Sequence, residues 1–244
     1  NIIVNINKKI KLFKNYIWLD KNQLIKLANK NNLLNMDTFS VFSCAIKKNI
    51  HDVPEISLNK IFLWFNKLKK KHYIKVKMIP LLNLKGWKFD KKKIFDTKNF
   101  FFSIIGLKIF SNSREVTQWE QPIIKEKTIG LSGFIVKKKN DTYHYLVSFS
   151  MKPGLKNPSL SCTVRTSNLK GCLNNSFLSN IEKYYIKNYF LRRSVGKVRY
   201  NKIQSDEGGR FFKSQSKNVI IEISENKKIN INEKYIWMSH NQVL

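Results

Sequence analysis

The stretch G-L-S-G-F-I-V-K-K-K-N-D-T-Y-H-Y-L-V-S-F-S, residues 130–150, is the clearest indication of the fold in this chain. Its apolar segments 131–136 and 143–149 are predicted to be strands. The polar residues 137–142 between them are predicted to be the turn that joins the strands into a hairpin.

Further strands are predicted on either side of this hairpin, over residues 100–109 and 219–223, and a helix over 181–190. Strands and helices that are mixed along one stretch of this length are typical of a layered domain. The fold class is therefore predicted to be α/β or α+β.

The two ends of the chain are similar to each other. Residues 1–24 align with residues 218–243 across one two-residue gap, with 12 identities in 24 positions. The identities include N-K-K-I at 7–10 and 226–229, and Y-I-W-x-x-x-N-Q at 16–23 and 235–242. The offset is the size of a whole domain, which predicts a tandem duplication.

The duplication predicts three regions. Residues 1–50 are the C-terminal part of a first repeat. Residues 51–56, which contain Pro54, are a linker. Residues 57–244 are a second repeat that stops before its closing helices, so that the sequence is predicted to be a fragment.

Three polar residues stand where they can cap a helix, each before apolar residues at helical spacing. The caps are Asp20, Asp37 and Ser57. The apolar positions that follow them are Leu24, Leu27 and Ala28; Val41, Phe42, Ala45 and Ile46; and Ile61, Trp64, Phe65 and Leu68. The first two helices are predicted to close the first repeat, and the third to open the second.

The composition narrows the class of protein. The chain has 244 residues, 42% of them hydrophobic, which is enough for one large domain or two small ones. Its three cysteines form no C-x-x-C pair, so neither a disulfide framework nor a zinc site is expected. No apolar run approaches the ~20 residues of a membrane span, and no signal peptide is visible. We expect a cytoplasmic protein that does not bind membranes.

The net charge of +30 raises the possibility of a nucleic-acid-binding protein. However, 40 of the 46 basic residues are lysines spread along the whole chain, which favours a solvated basic surface. The few arginines indicate sites that need a planar, bidentate donor. They are Arg114, Arg165, Arg192, Arg193, Arg199 and Arg210.

Three segments are dense in residues that can carry chemistry. The first is R-E-V-T-Q-W-E-Q-P at 114–122. The second runs from G-L-S-G-F at 130–134 through Y-H-Y-L-V at 143–147 and K-P-G at 152–154 to T-V-R-T-S-N at 163–168. The third is I-Q-S-D-E-G-G-R-F-F at 203–212, which places two carboxylates, two glycines and a guanidinium within five residues. The alternative for this segment is an acidic turn that only binds its own arginine.

Together these segments resemble the NDP-hexose 2,3-dehydratases of deoxysugar biosynthesis. The matching motifs are R-E-V-x-x-W-x-Q-P, G-L-x-G-F-x-V, H-x-L-V, P-G, T-V-x-x-x-x-N, Q-S-x-E-G-G-R-F and the closing Y-x-W-M. The resemblance implies a tandem repeat of Nudix-like mixed-sheet sandwiches. The metal-binding Nudix box is missing, because no glycine stands fourteen residues before Arg114 and V-T-Q-W-E follows Glu115.

The resemblance implies loss of water across C2 and C3 of a nucleotide-linked 4-keto-6-deoxyhexose, usually with dTDP as the nucleotide. The C4 ketone acidifies the C3 proton. The site therefore needs a base at C3, an acid for the departing C2 oxygen and a donor to the C4 enolate oxygen. No redox cofactor and no metal are expected. The expected partner is the nucleotide-diphosphate sugar, bound by a full-length homodimer.

Glu207 is the first candidate for the general base, with Asp206 as the alternative. His144 is a further acid or base candidate, although a lone histidine on a strand is often structural. Gln121 and Gln204 are candidate donors to the sugar. The remaining substrate-binding candidates are Arg165 and Arg210 for the diphosphate, Trp119 for the nucleobase or the core, and Arg114, Glu115, Asn168, Ser205, Gly208 and Gly209.

Lys152 stands where members of the family often carry an acidic residue, so a role carried over to that position is in doubt.

Two other interpretations of the function stay open. The second repeat is alternatively a non-catalytic half that only binds nucleotide sugar. A basic nucleic-acid-binding protein is the third class of function.

Overall fold

A computed structural model describes residues 4, 6–14, 16–43, 51–98, 100–173, 178–192 and 195–243. Several residues discussed above lie outside this description. They are Cys44, Ala45, Ile46 and Arg193, together with the side chains of Phe42 and Cys172.

Two of the three predicted helix caps are confirmed. Asp20 accepts a hydrogen bond from the backbone N–H of Gln23, and the Gln23 side chain accepts one from the N–H of Asp20, both at 2.8 Å. Ser57 accepts a hydrogen bond from the N–H of Lys60. The helices that begin here are α1 (Lys21–Ala28) and α3 (Leu58–Lys71).

The predicted start of the second helix is wrong by two residues. Helix α2 spans Met36–Ser43, and the side chain of Asn35 accepts the N–H of Thr38 at 2.8 Å. Asp37 lies inside the first turn, because asparagine caps helices as well as aspartate does and Asn35 comes first.

The strands form two sheets. The strands are β1 (Trp87–Phe89), β2 (Lys93–Asp96), β3 (Ser103–Phe110), β4 (Gln118–Lys125), β5 (Gly130–Lys139), β6 (Thr142–Ser150), β7 (Ser159–Ser161), β8 (Val164–Thr166), β9 (Lys197–Ser205), β10 (Gln215–Ile223) and β11 (Tyr235–Ser239). The first sheet has the order β1-β2-β3-β4, with every pair antiparallel. The second has the order β11-β6-β5-β10-β9, with β7 beside β6 and β8 beside β5. Among the strands of the described residues, only β5 and β10 pair in parallel, so the second sheet is mixed.

The predicted hairpin is confirmed as β5 and β6, but its turn is shorter than expected. The turn consists of Asn140 and Asp141, with φ of 47° and 58°, as two-residue hairpin turns require. The three lysines before it extend β5 and pair with residues 142–144. The pattern of polar residues did not separate these half-exposed strand ends from a loop.

One face of the second sheet carries the main core. Helix α5 (Asn180–Tyr185) continues into a π-helical segment, Ile186–Leu191, within the helix predicted over 181–190. Tyr185 and Phe190 pack there against the strands. Gly133 of β5 leaves the space that the Phe190 ring fills, because a Cβ on Gly133 would lie 2.3 Å from that ring. The remaining short helices are α4 (Leu169–Cys172) and α6 (His240–Val243).

Helix α3 lies on the opposite face, over β6 and β11. Ile61 packs with Val147 and Met238, as the predicted apolar stripe requires. Trp64 donates from Nε1 to the carbonyl oxygen of Glu233 at 2.7 Å. Two sheets with helices on the faces of the second confirm the α+β fold class.

The segment 51–56 is bound to the second sheet. The N–H of Val53 donates to Thr142 Oγ1 at 2.9 Å, and Gln242 Nε2 donates to the carbonyl oxygen of Ile56 at 2.6 Å. Glu55 forms ion pairs with Lys137 at 2.9 Å and Lys139 at 3.0 Å. This segment is therefore part of the packed structure.

The similarity between the chain ends is repeated in their hydrogen bonds. The N–H of Ser239 donates to Gln242 Oε1 at 3.0 Å, and the N–H of Asp20 donates to Gln23 Oε1 in the same way. Trp237 lies in β11 and is partly buried, whereas its counterpart Trp18 belongs to no strand and is 62% exposed.

Among the described helices, none is long and apolar enough to cross a bilayer.

Candidate active site

Polar side chains line the part of the second sheet beside the strands that α3 covers. Residues alternate between the faces of a strand, and the core residues Val219 and Ile221 point towards α5. The residues between core positions point the other way. We call this surface the polar face, and it consists of Ser132, Arg165, Lys202, Gln204, Ser216 and Asn218.

The strand register aligns four of these residues in one row. Arg165 pairs with Ser132, Ser132 with Asn218, and Asn218 with Lys202. Adjacent strands are ~4.8 Å apart, so this row extends over roughly 14 Å of sheet. Asn218 Nδ2 donates to Gln204 Oε1 at 2.7 Å, which confirms that both side chains share the face.

Asp206 lies at the end of the polar face, directly after β9. Ser214 Oγ and Ser216 Oγ each lie 3.1 Å from Asp206 Oδ2. The N–H of Asp206 donates to the carbonyl oxygen of Ser214 at 3.0 Å. The predicted candidates Arg165, Gln204 and Asp206 are thus brought to one surface.

The loop 206–214 crosses from the second sheet to β4 of the first. The N–H of Ile124 donates to the carbonyl oxygen of Arg210 at 2.9 Å, and the N–H of Phe212 donates back to the carbonyl oxygen of Ile124 at 2.7 Å. Gln121 Nε2 donates to the carbonyl oxygen of Gly209 at 2.8 Å, and Trp119 Nε1 donates to Gln121 Oε1 at 2.7 Å. The segments 114–122 and 203–212 therefore meet in space.

The two adjacent carboxylates of this loop have different surroundings. Glu207 accepts hydrogen bonds from the guanidinium of Arg210, from Nε at 3.0 Å and from Nη2. Their side chains are 41% and 71% exposed, and the pairing raises the pKa of Arg210. Glu207 thus makes the contact expected of an acidic turn with its own arginine, while Asp206 points to serines.

Glu126, which the sequence did not single out, completes the group around Asp206. The hydroxyl oxygen of Ser214 lies within hydrogen-bond distance of Glu126 Oε2. Burial raises the pKa of Glu126, the Ser214 hydroxyl opposes that shift, and the charge of Asp206 adds to it. Glu126 stands between two lysines in a polar connection, so no local pattern separates it from a solvated residue.

A cleft of about 450 Å³ adjoins the polar face at Arg165. Its size is within the range of small-molecule sites. Its polar lining includes His72, Lys152, Arg165, Glu182, Lys234 and Tyr235. Burial lowers the pKa of Lys152, and the charge of Arg165 lowers it further, so two cations lie side by side there.

His144 lies far from this group. It is 1% exposed, on the α5 side of β6, with Nδ1 3.2 Å from the carbonyl oxygen of Thr142. It pairs with Lys137, seven residues along β5 from Gly130, which pairs with Ser216 beside Asp206. At ~3.3 Å per residue this separation is about 23 Å, so the structure does not bring His144 and Asp206 together.

The other predicted residues have separate positions. Asn168 accepts hydrogen bonds from Thr128 Oγ1 and the N–H of Gly171, and donates to the carbonyl oxygen of Phe100. Its side chain therefore joins three loops. Arg114 and Glu115 are exposed between β3 and β4. The Ser205 hydroxyl donates to the side-chain oxygen of Asn32 at 3.0 Å. Gly208 is exposed in the 206–214 loop.

Most of the chain matches a known protein family. The family model described as NDP-hexose 2,3-dehydratase matches residues 58–244. The chain belongs to the NDP-hexose 2,3-dehydratase family. The match begins immediately after Ser57, the residue that caps α3.

Three relatives are each named dTDP-4-dehydro-6-deoxy-alpha-D-glucopyranose 2,3-dehydratase. They come from Saccharopolyspora spinosa, Amycolatopsis orientalis and Streptomyces violaceoruber, and are 24%, 25% and 25% identical to this chain. The alignments cover all of this chain and 54%, 50% and 56% of the relatives. The chain thus spans about half the length of these members of the NDP-hexose 2,3-dehydratase family.

Within this member of the NDP-hexose 2,3-dehydratase family, the described residues offer no ligand set for a metal centre. Among them, no three of the types His, Cys, Asp and Glu lie close enough together to hold an ion. The polar face and the 206–214 loop instead offer a carboxylate, amides and cations.

Proposed function

We propose that this protein, in its intact form, eliminates water across C2 and C3 of a dTDP-linked 4-keto-6-deoxyhexose. Membership of the dehydratase family and the names of the three relatives support this activity. The observation that carries the proposal is the placement of Asp206, Gln204 and Arg165 on one face.

Asp206 is the proposed base for the C3 proton, in preference to Glu207. A base needs a carboxylate that is held in one orientation and is not already paired with a cation. The two serine hydroxyls orient Asp206, whereas Arg210 occupies Glu207. Gln204, which precedes Asp206 on the same face of the sheet, is the proposed donor to a sugar oxygen.

Arg165 and Lys152 are the proposed ligands of the diphosphate. Burial lowers the pKa of Lys152, and the charge of Arg165 lowers it further. A dianionic ligand between the two cations would offset their repulsion. Arg165 lies between the cleft and the polar face. A nucleotide in the cleft would thereby direct its sugar towards Asp206.

We also propose that residues 57–244 are the second of two repeats and residues 1–50 the end of the first. The family match from residue 58 and the repeated capping hydrogen bond support this division. By analogy with β11, residues 16–19 would pair with a first-repeat strand equivalent to β6. The exposed Trp18 would be buried by that pairing.

The intact enzyme is proposed to be a cytoplasmic homodimer. Exposed apolar side chains on α3 and in the segment after it would form part of an interface between repeats or subunits. They include Phe62 at 60%, Leu63 at 70% and Met78 at 95% exposure.

A second candidate function is nucleotide-sugar binding without chemistry in this half. The position of the cation pair in a cleft of its own favours it, because that cleft needs no base in order to bind a diphosphate. In that case the reaction would take place in the other repeat.

Replacement of Asp206 in the intact protein tests the proposal. Asp206→Asn keeps the shape and removes the proton acceptor, so turnover should fall by roughly 10²–10⁴ while substrate binding survives. Exchange of the C3 proton with deuterated solvent should fall in parallel. Glu207→Gln is the matched control and should keep most of the activity.

The opposite pattern would favour Glu207 as the base. If both variants still dehydrate the substrate, neither carboxylate is the base. This repeat would then have only the binding role.

A further inference from the structure

A single serine hydroxyl lies between the carboxyl groups of Glu126 and Asp206. Ser214 Oγ contacts Glu126 Oε2 and lies 3.1 Å from Asp206 Oδ2. Ser214 is 6% exposed, so water has little access to this contact. A hydroxyl has one hydrogen, and it can donate to only one of two ionised carboxylates. The other carboxylate would then face the oxygen lone pairs.

Within the described part of the chain, no lysine or arginine is among the groups that shift the pKa of Glu126. Of the lysines nearest to this contact in sequence, Lys125 and Lys213 lie over the ring of Phe212, at 6.0 Å and 5.4 Å. Burial opposes ionisation of Asp96, but backbone N–H groups and the charge of Lys127 lower the pKa of Asp96. The charged group that acts on Glu126 is Asp206, and it disfavours ionisation of Glu126.

Asp206 has the better environment for a negative charge. It accepts a second hydroxyl, from Ser216 Oγ at 3.1 Å, in addition to Ser214. One extra proton therefore satisfies every group if it resides on Glu126. The Glu126 O–H then donates to Ser214 Oγ, and Ser214 donates to Asp206.

We propose that Glu126 is a positioning residue that keeps a proton and, through Ser214, holds the Asp206 side chain oriented for catalysis. This inference rests on the proposed function for the role of Asp206 as the base. In the reaction Asp206 takes the C3 proton, and the electrons of the C–H bond form the enolate. Glu126 keeps its own proton throughout and does not touch the sugar.

The proton can be measured in the intact protein without substrate. Infrared spectra across a pH titration should show a protonated carboxyl band that persists above the range in which ordinary carboxyls ionise. Glu126→Gln should remove this band. Glu120→Gln, which changes an exposed carboxylate on neighbouring β4, should keep it. A spectrum in which Glu126→Gln removes no band would overturn the proposal.

Kinetics test the positioning role separately. In wild type, kcat should decline at high pH, because Glu126 then loses the proton that it donates to Ser214. The amide that Glu126→Gln introduces donates to Ser214 at every pH, so this variant should recover most of the kcat that Glu126→Ala loses and should show no such decline. Glu126→Ala should lower kcat by up to about 10²-fold, the cost of a misplaced reacting group, with little change in KM. An unchanged kcat in Glu126→Ala would overturn the positioning role.

Failure of the proposed function gives a different result. A wild-type protein without dehydratase activity would overturn the link to catalysis, while the infrared band would still decide where the proton resides.

Discussion

Gln121 of β4 donates a hydrogen bond from its side-chain amide to the carbonyl oxygen of Gly209, 2.8 Å away in the loop between β9 and β10. This contact joins the two sheets next to Asp206. The same amide accepts from Trp119 Nε1, which fixes its orientation. The position of the loop is thus set by a strand of the other sheet.

Loss of this contact should affect turnover more than stability. Gln121→Ala removes one hydrogen bond to the loop, which is worth ~1 kcal/mol of folding free energy. The displaced loop should lower kcat by up to about 10²-fold. Gln118→Ala, at an exposed position of the same strand, is the control. Equal kcat values in the two variants would show that the contact does not position the base.

The cation pair in the cleft should determine affinity for the nucleotide sugar. Arg165→Ala should weaken binding in calorimetry by on the order of 1.5–3 kcal/mol, the worth of a hydrogen bond to a charged group. Arg165→Lys should recover only part of this, because the planar fork is lost. Arg199→Ala, which breaks an ion pair with Glu222, is the control. Unchanged affinity in Arg165→Ala would exclude Arg165 from the diphosphate site.

The raised pKa of Glu126 should make stability depend on pH. The folded state holds this proton above the ordinary value of 4.5, so the unfolded chain releases it first as pH rises. As the pH rises from that value to the raised pKa of Glu126 in the folded protein, the free energy of unfolding of wild type should fall relative to that of Glu126→Gln. Thermal unfolding across this range measures the difference. Glu120→Gln should show no such divergence, and a parallel course of wild type and Glu126→Gln would contradict the shift.

Gly133 should tolerate no side chain while Phe190 is present. A Cβ at position 133 would approach Cε1 of the Phe190 ring to 2.3 Å, so Gly133→Ala should destabilise the protein by ~1–3 kcal/mol in denaturant unfolding. Gly106→Ala, with nothing within 4 Å of the new methyl group, is the control. Phe190→Leu should recover part of the loss in the double variant. Equal stability of both alanine variants would contradict this packing.

The sequence predicted elements whose signals are local. The hairpin of β5 and β6 has two apolar segments around a polar one, and α3 has a serine cap before an apolar stripe. Strand β4 carries residues 118–122 of the dense segment 114–122, but it was not predicted, because a proline such as Pro122 argues against a strand. Strand β9 was missed as well, because its polar residues lie on the polar face instead of in the core.

The candidate site was predicted in its motifs but not in its geometry. Whether Glu207 or Asp206 is the base stays a prediction, and a sequence does not show which of the two carboxylates the loop turns towards Arg210. Glu126 is distant from Asp206 along the chain, and only the crossing of the loop to β4 brings Ser214 between them. Contacts of this kind are set by tertiary packing.

The hydrogen-bonded segment before α3 decides how far the chain can be shortened from its N-terminal side without loss of contacts in the second sheet. A chain shortened to residues 58–244 would retain every residue matched by the family, yet Thr142 would lose Val53, Gln242 would lose Ile56, and Lys137 would lose Glu55. These losses all fall on β5, β6 and the helix that follows β11. A chain that keeps these contacts therefore has to begin near residue 51, several residues before the family match begins.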